Sequence, residues 1–150
     1  LQVIYSGLQI SLPAVSVNGH FYARLPTSSS YSQFDPSQYG FADPGQMMDT
    51  NHGLSQLLER CQSPSLQSDD RLNGEQLHEV GCTIPGTVIA ALLTDAQPSQ
   101  PVTATFGIAA DSSQLRRVVI TGPFYSSQPT TFTLVLANYG ENVRVTPPPA

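Results

Sequence analysis

Hydrophobic positions along this chain follow two periods. Most recur every second residue, as in strands with one buried face, and two short stretches have the three-to-four spacing of helices. Leu1, Val3 and Tyr5 share one parity, and Leu8, Ile10 and Leu12 follow after Gly7. This reads as one bulged strand or two short ones, ended or edged by Pro13. Val15 to Leu25 predicts a hairpin around Asn18-Gly19, a pair suited to a type I′ turn. On its second arm Phe21, Ala23 and Leu25 fall on one face, Tyr22 and Arg24 on the other.

From Pro26 to Gln46 the pattern lapses into a long loop that carries Tyr31, Phe34, Tyr39 and Phe41. A loop this aromatic should pack onto the domain or flank the mouth of a pocket. Its Asp35-Pro36 and Asp43-Pro44 pairs each suit the start of a turn or short helix. Asp49 to Cys61 predicts an amphipathic helix, with Met48, Leu54, Leu57, Leu58 and Cys61 near one face. Asp49, Thr50 and Asn51 are good N-cap residues, and Pro64 lies beyond the end. A lone helix of about three turns is marginal in water, so it must lie on something apolar, and the face of a sheet is the candidate. A curved sheet crossed by helices can enclose space for an apolar ligand.

Gln62 to Asp70 reads as a polar connector. Arg71 to Thr83 is strand-like around Asn73-Gly74, with Leu77, Glu79 and Gly81 alternating against His78, Val80 and Cys82. Val88, Ile89 and Leu92 share a helical face and predict a second short helix over 86–94, followed by a Pro-rich link from Gln97 to Pro101. The remainder is a β-meander over Val102–Ile108, Leu115–Thr121 and Thr130–Leu136, with a turn at Asn138-Tyr139-Gly140 and a last strand at Val143 and Val145.

Composition narrows the function classes. The 150 residues suffice for one domain with a real core, and no apolar run approaches the length of a membrane-spanning helix. There is no lysine; six arginines face eleven acids, and the net charge is −5. That argues against nucleic acid and against a polybasic membrane patch. The surface is polar without being charged, a style commoner outside the cytoplasm. The chain opens directly in strand-like sequence, so an N-terminal part is expected to be absent, and residues 1–12 would then form a sheet edge in need of a partner.

Cys61 and Cys82 are either bridged or two buried thiols, and an exported protein favours the bridge. They cannot make a structural zinc site alone, and no histidine has finger spacing. No cofactor is expected. His20, His52 and His78 are scattered over a hairpin turn, a helix start and a strand; His52 beside Asp49 suits a capping turn, and Asp69-Asp70 suits a solvated loop. The Gly-x-Ser-x-Gly, His-Glu-x-x-His and P-loop patterns are absent, so the reading is non-enzymatic.

Taken in order, VNGHFYARL (17–25), YSQFDPSQYGFADPGQMMDTNHGLSQLL (31–58), LNGEQLHEVGCTIPG (72–86), PVTATFGIAADSSQLRRVVI (101–120) and TFTLVLANYGENVRVTPP (131–148) resemble the LppX/LprA/LprF/LprG family of mycobacterial lipoproteins, LolA-like half-barrel lipid carriers. The order and spacing of these stretches carry the resemblance more than any one of them. Gly107 and Tyr139 stand where the family tends to have Trp. The resemblance covers the C-terminal two thirds or so of the family pattern; the family's first helix, first strands and lipobox cysteine lie before residue 1.

What the resemblance implies is an α+β fold: a strongly curved antiparallel β half-barrel with short helices covering the concave face. An apolar cavity between sheet and helices would take acylated lipids or glycolipids. Its walls would come from Ile10, Leu12, Phe21, Ala23 and Leu25 of the early strands, Met47, Met48, Leu54, Leu57 and Leu58 of the first helix, Val88, Ile89 and Leu92 of the second, and Phe106 and Leu134 of the meander. A polar head would sit at the mouth, beside the aromatic loop 31–41 and one arginine. The implied setting is the extracytoplasmic cell envelope, on the outer face of the cytoplasmic membrane, with membrane contact through an N-terminal lipid anchor ahead of this sequence and an envelope transporter as a further partner. The alternative is a β-rich envelope interaction module without a cavity, using the 26–46 loop to bind a protein or glycan.

Overall fold

The computed structural model describes residues 2–5, 8–39, 42–47, 49, 53–93, 96–97, 100–124 and 128–149, with the backbone alone at 2–5, 8–11 and 39. Residues 2–12 resolve into two strands, β1 (Gln2–Tyr5) and β2 (Leu8–Ser11), paired antiparallel with Val3 opposite Ile10. The Asn18-Gly19 turn forms as expected between β3 (Ala14–Val17) and β4 (His20–Ala23), with φ of 53° and 74°. Strand β4 stops at Ala23, so Leu25 does not continue the buried face of Phe21 and Ala23; it is 44% exposed.

The loop expected at 26–46 contains more order than its pattern indicates. β5 (Ser32–Phe34) pairs with β4, placing Phe34 opposite Phe21. A 3₁₀ turn follows at Pro36–Tyr39, then α1 (Pro44–Met47). Both Asp-Pro pairs act as the sequence suggests: the Asp35 carboxylate accepts the Ser37 N–H at 3.0 Å and the Asp43 carboxylate accepts the Gly45 N–H at 3.0 Å. Asp43 also accepts the Ser16 hydroxyl, joining α1 to β3. Phe41 lies outside the described residues.

The expected 49–61 helix is shorter. Its described helical part is α2 (Leu54–Glu59), with Gly53 as N-cap and no side-chain cap. Any side chain at 53 would strike the Met47 carbonyl oxygen at 2.2 Å, so the close approach of the preceding backbone needs glycine there. Met48, Thr50, Asn51 and His52 lie outside the described residues. Leu54 and Leu57 are buried, but Leu58 is 40% exposed, because six residues give an arc that only two leucines can turn toward the sheet. Cys61 falls just past the C-cap, Arg60.

The main sheet runs β11-β10-β9-β8-β6, all antiparallel, with β7 also on β8. Its strands are β6 (Gln62–Leu66), β7 (Asp70–Leu72), β8 (Glu75–Ile84), β9 (Val102–Ala109), β10 (Leu115–Gly122) and β11 (Thr130–Val135). β6 replaces the expected connector: every residue in it is exposed, so no hydrophobic alternation marks it, and Pro64 is tolerated because the strand is at the edge. The second Asn-Gly turn links β7 to β8 with φ of 50° at Asn73 and 89° at Gly74. The expected helix over 86–94 is α3 (Gly86–Ala90). Val143 and Val145 do not form the expected last strand; they are exposed and 141–149 is irregular.

Register assigns the two faces. Ile84 lies opposite Val102, Ala104 opposite Ile120, Phe106 opposite Val118, and Val118 opposite Leu134. These residues share the face on which α2 and α3 pack, and form one core with Leu54, Leu57, Ile89, Leu92 and Phe124. The other face carries Leu77, Glu79, Gly107, Ala109 and Arg117. Here the Arg117 guanidinium crosses β9 to reach Glu79 at 2.6 Å and Asp70 at 2.5 Å. Gly107 makes the crossing feasible, since a Cβ there would meet Glu79 Oε1 at 2.8 Å and Leu77 Cδ1 at 2.9 Å. The hydrogen bond from Arg117 holds the Asp70 carboxyl below the usual carboxylate range, and His78 does the same for Asp69. The fold is thus the expected α+β class, a curved antiparallel half-barrel with short helices on one face.

Candidate functional site

A disulfide joins Cys61 to Cys82, with Cα atoms 5.6 Å apart. It pins the C-terminal end of α2 to β8, the strand that leads through Pro85 into α3. The two short helices are therefore tethered to the same strand at neighbouring points, and a cleft of about 630 Å³ opens between them. That volume falls in the usual range of small-molecule sites.

The walls follow from the helical pattern. Val88, Ala91 and the edge of Leu92 in the α3 region supply apolar surface, with Leu57 of α2 fully buried behind it and Cys61 and Pro85 at the sheet end. Gln56, Glu59, Arg60, Gln62 and Thr87 supply the polar part of the lining. Glu59 accepts a hydrogen bond from Gln56 at 3.0 Å. Arg60 makes no ion pair or side-chain hydrogen bond among the described residues. Among the described residues there is no group of three or more His, Cys, Asp and Glu side chains able to hold a metal.

The expected cavity residues separate into distinct places. Val88 and Leu92 line the cleft, and Leu57 lies fully buried behind its wall. Leu54, Ile89 and Phe106 lie in the core behind it, at 8%, 0% and 0% exposure, with Met47 and Leu134 packed against that core. Phe21 and Ala23 are buried, outside that cluster, on the β3–β4–β5 sheet. Leu12 is half-buried, and the Ile10 side chain and Met48 lie outside what is described. Leu25 and Leu58 are exposed.

Among the described residues, helix and sheet side chains share one core, and the cleft lies beside it, between the two helices. Phe106, Ile84 and Val118 of the sheet and Leu57 and Ile89 of the helices are all fully or almost fully buried in that core. Sequence reasoning expected one arginine at the mouth without naming it, and named none of the other polar residues of this lining. The position of Arg60, next to a cysteine bridged to the sheet, is the signal that could have found it.

The comparisons with known proteins agree with this architecture. The chain is 26% identical over 151 residues to the lipoarabinomannan carrier protein LprG of Mycobacterium tuberculosis and of Mycobacterium bovis, and spans about 61% of the length of these relatives and 99% of its own. It superposes on the crystal structure of LprF from Mycobacterium bovis with a TM-score of 0.69 at 22% identity, covering 95% of this chain and 68% of that one. The Mycobacterium tuberculosis lipoprotein LppX gives 0.64 at 20% identity, covering 97% and 70%. The model of the LppX_LprAFG lipoprotein family matches residues 1–145, and the chain belongs to that family.

Proposed function

We propose that this chain is a non-enzymatic carrier that binds acyl chains of lipids or glycolipids in the cleft between α2 and α3. The carrying observation is a cleft of about 630 Å³ whose apolar wall (Val88, Ala91, Leu92) stands beside a polar lining, in a member of a lipoprotein family. Its relative LprG is described as a carrier of lipoarabinomannan, and cargo of that amphiphilic kind suits such a cleft. Each methylene removed from water contributes about 0.8 kcal/mol, so about ten give a gross gain near 8 kcal/mol. That corresponds to micromolar affinity before the ordering of the chain is subtracted.

The setting proposed is the extracytoplasmic envelope, and the Cys61–Cys82 bridge fits an oxidising compartment. Membrane contact through an N-terminal lipid anchor and delivery to or from an envelope transporter complete the reading. One observation favours the second reading, an envelope interaction module: the sheet–helix interface is filled by Phe106, Ile89 and Leu57, all fully buried. The two readings separate in one experiment. Organic-solvent extraction of the purified protein followed by mass spectrometry is expected to release acylated lipid, and a fluorescent fatty acid is expected to bind saturably at micromolar concentration. Neither lipid nor uptake would leave the interaction module standing.

A further inference from the structure

Of the six arginines, four are engaged. Arg116 holds Glu75 at 2.9 Å, Arg117 bridges Glu79 and Asp70, Arg71 donates to the Gly74 carbonyl at 3.0 Å, and Arg24 lies over the Tyr31 ring at 5.6 Å. The other two, Arg60 and Arg144, make no such contact among the described residues, and of these Arg60 lines the cleft. There is no lysine to share that role. Its neighbour Glu59 also lines the cleft, but that carboxylate accepts from Gln56 and makes no ion pair with Arg60, which leaves the guanidinium's donors open to a ligand. The position is also fixed: Arg60 is the C-cap of α2, its N–H bonded to the Gln56 carbonyl at 3.0 Å, and the next residue is bridged to β8.

We infer that Arg60 selects cargo with an anionic group, a carboxylate or phosphate, at the head of the acyl chain. This rests on the acyl-cleft reading and names the class of ligand. A guanidinium presents a planar fork of N–H donors matched to two oxygens of a carboxylate or phosphate. The side chains of Gln56, Gln62 and Thr87 in the same lining offer further donors. In a protein of net charge −5, attraction for an anion is confined to such a local site. Apolar wall and unpaired guanidinium together describe an amphiphile with one anionic end.

The test compares a fluorescent fatty acid with the fluorescent alcohol of the same chain length, on the full chain and on Arg60→Gln. The wild type is expected to bind the acid about tenfold more tightly than the alcohol. Arg60→Gln is expected to reduce that preference below twofold by weakening the acid alone. A lysophospholipid with a phosphate head should follow the acid, whereas inorganic phosphate should not displace either probe at equal concentration, because without a tail it lacks the apolar contribution. Equal binding of acid and alcohol, or an unchanged preference in Arg60→Gln, overturns the inference while leaving the cleft intact. Displacement by inorganic phosphate overturns the role of the tail in the site. Binding of neither probe overturns the cleft reading and this inference with it.

Discussion

Cys61→Ala with Cys82→Ala is expected to destabilise the fold by about 3 kcal/mol, because the bridge closes a loop of 21 residues and so restricts the unfolded chain. For a chain of this length that lowers the melting temperature by roughly 9 °C. Opening the bridge with a dithiol, which leaves two thiols and an oxidised reductant, should lower it similarly. The loss is expected to be concentrated at α2. That helix has six residues, no side-chain N-cap, and only Leu54 and Leu57 buried, so it is too short to persist on propensity. Hydrogen exchange should show α2 losing protection first while β8 to β10 keep theirs. A double variant within about 0.5 kcal/mol of wild type in urea unfolding would contradict this role for the bridge.

Arg117→Met is expected to cost about 3 kcal/mol in urea unfolding at neutral pH. The Glu79 side chain is 6% exposed and loses its partner, and a buried charge left uncompensated is the costly outcome. Arg117 also binds Asp70, so the first residue of β7 loses an anchor. The control is Glu79→Gln with Arg117→Met, which removes both charges and should recover most of the loss. Equal destabilisation in the double and single variants would mean that Arg117 acts through packing alone. Neither change touches the helix side of the sheet, so fatty-acid affinity in the folded protein should stay within about twofold.

The parts of the fold that bury one face were legible in the sequence. β9, β10 and β11 sit within one or two residues of their expected bounds because Val102, Ala104, Phe106 and Val118 alternate against polar neighbours. Both Asn-Gly pairs turn where expected because few other pairs accept positive φ twice in succession. β6 was illegible because an edge strand exposed on every residue leaves no hydrophobic trace. β5 was hidden by its length of three residues. Val143 and Val145 misled in the opposite direction, since alternation without a partner strand forms no ladder.

Helical spacing marks which residues of α2 and α3 are apolar, and it does not say which of them stand on open space. Val88 and Leu92 border the cleft between the helices, whereas Leu54, Leu57, Ile89 and Phe106 lie in the core behind it. Which of these residues are buried depends on how the helices sit on Phe106 and Ile84, a long-range packing fact that no local pattern carries. Arg60 was hidden because a charged residue at a helix end is ordinary, and only the bridge at the next position fixes it beside the cleft.

The central claim is that an acyl chain occupies the gap between α2 and α3. Ala91 is exposed, lines that gap and has ordinary helical dihedrals of −70° and −25°, so it accepts a large side chain without backbone strain. Titration of a fluorescent fatty acid into wild type and Ala91→Trp is predicted to give micromolar binding to the first and at least tenfold weaker binding to the second, with melting temperatures within about 2 °C of each other. Equal affinity in the two proteins, or no saturable binding to either, would contradict the account.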